Sequence, residues 1–114
     1  DRSVSRGLGD VYKRQLLDAI VLAVVSKEEE GTYGYKITQE VRSTIGVSES
    51  TLYPVLRRLQ KNQCLEVYDV ECAGRNRRYY KITDAGRAQL LLYRREWADY
   101  SSKISLLFSG EEIK

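Results

Sequence analysis

The fifteen residues from Ser48 to Asn62, SESTLYPVLRRLQKN, constrain the fold of this chain more than any other stretch. Leu52, Val55, Leu56 and Leu59 recur at helical spacing, so one face of the segment is built for burial. The other face carries Ser50, Thr51, Tyr53, Arg57, Arg58 and Lys61, with hydroxyls near the start and cations further along. That ordering suits a helix whose beginning reads base edges and whose body lies against phosphates. An ordinary amphipathic surface helix has the same apolar spacing, so the neighbouring segments must decide. Upstream lies the glycine-bearing GTYGYKI. Downstream a short β-like pair has the basic tip Gly74-Arg75-Asn76-Arg77-Arg78. Together they predict a mainly α fold with a small β-wing, a winged helix-turn-helix followed by a long C-terminal helix.

A length of 114 residues fits one domain with a modest core. Hydrophobic residues make up 42% and charged residues 31%, a globular balance. Net charge is only +3, so the total does not prove a nucleic-acid partner, but its distribution is uneven. Between Tyr53 and Lys81 the cations Arg57, Arg58, Lys61, Arg75, Arg77, Arg78 and Lys81 outnumber Glu66, Asp69 and Glu71. The longest apolar run, Ala19 to Val25, is too short to span a bilayer, and no signal peptide is visible, which makes the cytoplasm the default address. Histidine is absent and Cys64 and Cys72 lack ligand spacing, so no metal site or cofactor is expected.

Residues 1–10 are rich in Gly, Ser and Arg without periodicity and begin without methionine; they read as a disordered or non-native arm. Val11 to Val25 is dense enough in apolar residues for a buried helix. Lys27 to Thr32 reads as an acidic turn, and Gly34 to Ile45 as a second helix stopped by Gly46. Ser48 or Ser50 caps the third helix, and Pro54 implies a bend if the start is Ser48. Asn62 or Gln63 ends it, Asn62 being the residue suited to a left-handed backbone. Strands are expected over Leu65 to Val70 and Arg78 to Ile82 with a turn at Ala73 to Asn76, which closes the winged domain at 11–82. Tyr79 and Tyr80 then point to opposite faces. Thr83 caps the helix of residues 83–108, leaving 109–114 as a tail.

That last helix holds a second pattern. Leu90, Tyr93, Trp97, Tyr100, Ile104 and Leu107 are spaced by three, four, three, four and three residues, a short heptad seam. About 25 residues of helix extend roughly 37 Å, longer than so small a domain can cover. A second copy is the simplest partner for the stripe, so these six residues are the expected homodimer interface.

With these residues in view, the chain resembles the PadR family of bacterial transcriptional regulators, in the branch with a single short C-terminal helix. The matching stretches are Tyr33-Gly34-Tyr35-Lys36-Ile37, the run Ser48 to Leu59, Gly74 to Thr83, and Asp84-Ala85-Gly86, in the family's order. The resemblance implies a winged helix-turn-helix dimer on palindromic operator DNA, usually a repressor. It places Ser50, Thr51, Tyr53 and Arg57 on the DNA-facing helix and Arg75, Arg77 and Arg78 on the wing. Two departures stand out: Gln63 where the family typically has glycine, and Asn76 where a second glycine or proline is usual. Relatives that sense planar drugs keep a tryptophan where Trp97 falls, eleven residues after Gly86. The resemblance thereby implies Trp97 as an effector contact for a planar aromatic molecule.

A different class of function is a winged-helix module for protein contacts that binds no operator. Such a module needs the same core but has no use for Arg75, Arg77 and Arg78 together. An enzyme fits least, because the chain has no histidine, no phosphate-cradling loop and no serine-base pairing.

Overall fold

The computed structural model describes residues 2–110, with side chains from residue 14 onward. The arm expected at residues 1–10, and residues 111–114 of the tail, thus lie outside the described side chains. The order of elements is α1 (Arg2–Ser26), β1 (Thr32–Tyr33), α2 (Gly34–Ile45), α3 (Glu49–Lys61), β2 (Leu65–Cys72), β3 (Arg75–Ile82) and α4 (Asp84–Phe108). The backbone of α1 begins upstream of the Val11 expected. Residues 2–10 contain no proline, and extending a nucleated helix costs little.

The core is the convergence of apolar faces from four helices and the sheet. Val21, Leu22 and Val25 of α1 meet Ile37 and Val41 of α2, and Leu52, Val55, Leu56 and Leu59 of α3. Leu65, Tyr80 and Ile82 close it from the sheet, and Leu90 from α4. The four apolar residues that open the sequence argument are all buried. At α1 the buried set is shifted from the apolar density read in sequence, since Leu16 is exposed while Val21 and Val25 are covered.

Three antiparallel strands lie in the order β1-β3-β2. β1 corrects the acidic turn expected over Lys27 to Thr32: Gly31 turns the chain with φ 98°, and Thr32 and Tyr33 then pair with Tyr80 and Tyr79. Two residues are too few to show alternation. The wing also differs from expectation. Its turn is the pair Ala73-Gly74, with φ 53° and 78°, so both strands run to Cys72 and Arg75. Positive φ at both central residues is the two-residue hairpin geometry that matches strand twist, and it absorbs less chain than the four-residue turn expected.

Helix ends explain two motifs. Ser48 is the N-cap of α3, its hydroxyl turned to those of Ser50 (3.1 Å) and Thr51 (3.0 Å), and Pro54 lies inside the helix. The other end corrects the assignment of Asn62. Asn62 has φ −85°, and Gln63 is the left-handed residue at φ 64°. Gln63 N–H bonds to Gln60 O (3.0 Å) and Cys64 N–H to Leu59 O (2.9 Å), the paired bonds of a Schellman cap. A left-handed backbone costs a side chain about 1–2 kcal/mol, against roughly 0.5–1 kcal/mol of extra chain entropy for glycine. Gln63→Gly is therefore expected to stabilise the protein by about 0.5–1 kcal/mol, read as a higher denaturant midpoint. An unchanged or lower midpoint would contradict the strain.

Thr83 caps α4 as expected, accepting from Gly86 N–H at 2.9 Å and donating to Gln63 O at 2.6 Å. A Cβ on Gly86 would lie 2.2 Å from Cys64 O and 2.8 Å from Ile82 Cγ1, so only glycine lets α4 start this close to β2 and β3. Beyond Leu90 the helix leaves the core. Tyr93 is half-buried against it, while Trp97, Tyr100, Leu107 and Phe108 are exposed. The seam read in sequence is thus divided, because Leu90 at its head belongs to the subunit's own core. Among the described residues no helix is long and apolar enough to cross a membrane, and no acidic, Cys or His cluster could hold a metal.

Candidate nucleic-acid interface

The outward face of α3 begins with Ser50, Tyr53 and Pro54 and continues to Arg57 and Lys61, all exposed. Thr51 is half-buried, its hydroxyl engaged by Ser48. Beside this face opens a cleft of about 550 Å³. Tyr53 and Arg57 of α3 form one wall, Arg77, Arg78 and Tyr80 of β3 another, and Tyr33, Gly34 and Tyr35 at the β1–α2 junction the third.

Two adjacent arginines of one strand should face opposite ways. Arg78 shares a side with Tyr80 and Ile82, which face the helices, so it enters the cleft directly. Arg77 starts from the other face, alongside Tyr79. It reaches the same cleft because its guanidinium carbon lies 4.8 Å from the Tyr33 ring centroid, at the sheet edge. Tyr33 is in turn braced by Tyr79 (5.7 Å between centroids), and Tyr79 stacks on Tyr68 (5.7 Å). A row of three tyrosines across three strands thus supports one arginine. The rings of Tyr80 and Tyr53 pack against the start of α2 at Gly34, where a Cβ would lie 3.4 and 3.7 Å from them, at ordinary contact distance.

The cleft is electropositive and contains hydrogen-bond donors. Burial pushes the Tyr80 phenol up, with Arg78 beside it pulling the other way, so at neutral pH Tyr80 remains a donor. Arg78 stands 3.9 Å from Asp69, an exposed pair of the kind that contributes little. Among the described residues Arg57, Arg75 and Arg77 make no ion pair within 4.0 Å. Three cations without carboxylate partners keep their charge available to phosphates.

Not every residue singled out in sequence is brought to this surface. Arg75 pairs with Cys72 beside the turn, exposed but outside the cleft. Arg58 turns inward and forms an ion pair with Asp18 of α1, on the side of α3 away from Arg57. Conversely, Tyr33, Tyr35 and Tyr80 line the cleft without having been singled out for binding. Their only sequence signal is the density of tyrosine around the glycine of GTYGYKI and the arginines of the wing.

A second concavity lies between α1 and α4. It measures about 280 Å³, is mostly apolar, and is lined by Gln15, Leu16 and Ala19 on one side and Tyr93, Glu96, Trp97 and Tyr100 on the other. The Trp97 and Tyr100 rings lie 6.3 Å apart at 42°. Trp97 thus stands in a crevice within one subunit, with half its surface open.

Comparison with known proteins places these features in context. The family model described as the transcriptional regulator PadR-like family matches residues 21–91, from the core of α1 to the first turns of α4. An uncharacterized protein of Lysinibacillus sphaericus is 37% identical over 102 residues, covering 84% of this chain and 91% of that protein. The crystal structure of a Streptococcus mutans UA159 protein superimposes with a TM-score of 0.79 at 37% identity, covering 89% of this chain and 93% of that one. A PadR-like transcriptional regulator of Bacillus cereus gives 0.74 at 32% identity, covering 84% and 94%.

Proposed function

The chain belongs to the PadR-like family of transcriptional regulators, and from that premise we propose that it is a homodimeric repressor, binding a palindromic operator and released by a small planar effector. The observation that carries DNA binding is the convergence of Tyr53, Arg57, Arg77 and Arg78 on one electropositive cleft beside an exposed helix face. A protein-contact module has no need for unpaired arginines gathered from two separate elements. In this reading α3 enters the major groove, where Ser50, Thr51 and Tyr53 meet base edges. Arg57, Arg75, Arg77 and Arg78 meet the sugar-phosphate backbone. Incubation of the protein with a randomised duplex pool tests it. Recovery of an inverted repeat with half-sites about one helical turn apart is expected, and recovery of no sequence would reject the reading.

Release by an effector rests on the α1–α4 crevice. Trp97 offers a flat indole face, Tyr100 a second ring, and Glu96 a carboxylate to balance a cation. A ligand can shift DNA affinity only if it binds one arrangement of the subunits better than another. Trp97 is the sole tryptophan of the sequence, so its fluorescence reports occupancy directly. Titration with planar aromatic cations is expected to quench the emission and release DNA over the same concentration range. Trp97→Ala is expected to abolish release in protein that still sediments as a dimer and binds DNA. Normal release by that variant would remove Trp97 from the effector site.

A further inference from the structure

On the side of α3 away from the cleft lies a polar cluster that the nucleic-acid surface does not use. Asp18 of α1 is buried although it is a carboxylate, and it accepts a hydrogen bond from Arg58 of α3, 40 residues away in the chain. Arg58 follows Arg57 directly, yet its side chain is only 29% exposed. Its Nε is buried without a hydrogen-bond partner among the described residues, so this part of the guanidinium is held out of water. Two further groups adjoin the pair. Burial pushes up both the Cys64 thiol and the Tyr93 phenol, and the Asp18 carboxylate adds to the shift in each. Asp18 therefore sits where α1, α3, α4 and the entry to β2 meet.

A buried ion pair is a poor device for stability alone, since apolar side chains of similar volume do as well. What it adds is direction. A carboxylate and a guanidinium fix distance and angle, whereas facing leucines tolerate sliding. The neighbours of Asp18 on α1 matter here: Gln15 and Ala19, three residues before it and one after, line the α1–α4 crevice together with Tyr93. A displacement of α1 at the crevice moves Asp18 with it.

We propose that Asp18 is a positioning residue for DNA binding: through Arg58 it sets the pose of α3 on α1, and it carries changes at the crevice to the cleft. This rests on the DNA-binding reading given above. Arg58 acts from behind the helix and touches no DNA.

The test uses the full chain and a duplex selected from a randomised pool by the wild-type protein. Affinity is measured by fluorescence anisotropy across a range of salt, with thermal unfolding alongside, for Asp18→Asn, Arg58→Met and the double variant. Each folded variant is expected to bind roughly two- to thirtyfold more weakly. The salt slope should stay at the wild-type value, because no phosphate contact is lost. The double variant should be no weaker than the weaker single one, since both remove one link. If a single variant fails to fold, Asp18→Leu/Arg58→Met replaces the pair with apolar side chains and supplies a folded protein for the same measurement. Unchanged affinity in folded variants would make the pair purely structural and overturn the proposal. A slope lowered by about one on Arg58→Met alone would make Arg58 a phosphate contact, and would also overturn it. Failure of the wild type to select any duplex would reject the DNA-binding reading itself, before any variant is compared.

Discussion

Arg57→Ala/Arg77→Ala/Arg78→Ala is expected to bind every duplex far more weakly than the wild type, by about a thousandfold at low salt. Hydrogen bonds to charged groups contribute about 1.5–3 kcal/mol each, which is roughly tenfold or more per arginine. The slope of log affinity against log salt should fall by about 0.9 per lost phosphate contact, close to 2.7 for three. Selected and mixed-sequence duplexes should suffer alike, because phosphates carry no sequence. Tyr53→Phe or Thr51→Ala should behave differently, costing about 1–3 kcal/mol on the selected duplex while sparing the mixed one. Stability should change little, since all three arginines are exposed. The largest folding contribution among them is the stacking of Arg77 on Tyr33, about 0.5–1 kcal/mol at such a site. Anisotropy titrations at several salt concentrations decide the matter. An unchanged affinity and slope would mean that the cleft is not where DNA lies.

What the sequence disclosed followed from periodicity and from residues with one physical role. α2 was legible because Ile37 and Val41 alternate with polar residues and Gly46 stops the helix at φ 70°. α3 was legible because its four apolar residues share one face. β1 was not, since two residues show no period and Tyr33 earns its strand only by pairing with Tyr79, far along the chain. The direction of Arg58 was equally hidden. In the sequence it follows Arg57 and reads as one more cation of the polar face, and only the buried Asp18 of another helix draws it inward. Gln63 shows the reverse case, in which a departure from the family's usual glycine marks a backbone strain that the side chain itself does not reveal. The cleft escaped for a similar reason. Alternation in β3 sends Arg77 away from the helices, and the ring of Tyr33 at the sheet edge brings it back.

Leu107→Glu is expected to convert a dimer into a monomer without unfolding it. The expectation starts from surface that one subunit leaves open. Past Tyr93, helix α4 presents Trp97, Tyr100, Leu107 and Phe108, the last at 87% exposure. Monomeric proteins seldom keep so much contiguous apolar surface in water. A two-fold axis between copies of α4 would cover the patch of both subunits with the same residues. Burying a leucine or phenylalanine contributes about 1.5–3 kcal/mol, and symmetry counts each one twice. A glutamate at 107 removes that gain from both subunits and opposes its own copy across the axis, enough for a hundredfold or greater rise in the dimer dissociation constant. Position 107 is the right one to change because it is 63% exposed, whereas Leu90 is buried in the subunit's own core and its replacement would unfold the domain. Sedimentation at micromolar concentration should show the wild type as a dimer and the variant as a monomer, with the same helical content. Inverted-repeat binding should collapse toward the affinity of a single half-site, since recognition helices about 34 Å apart require two linked subunits. A wild type that sediments as a monomer, or a variant that remains dimeric, would place the subunit contact elsewhere than on α4.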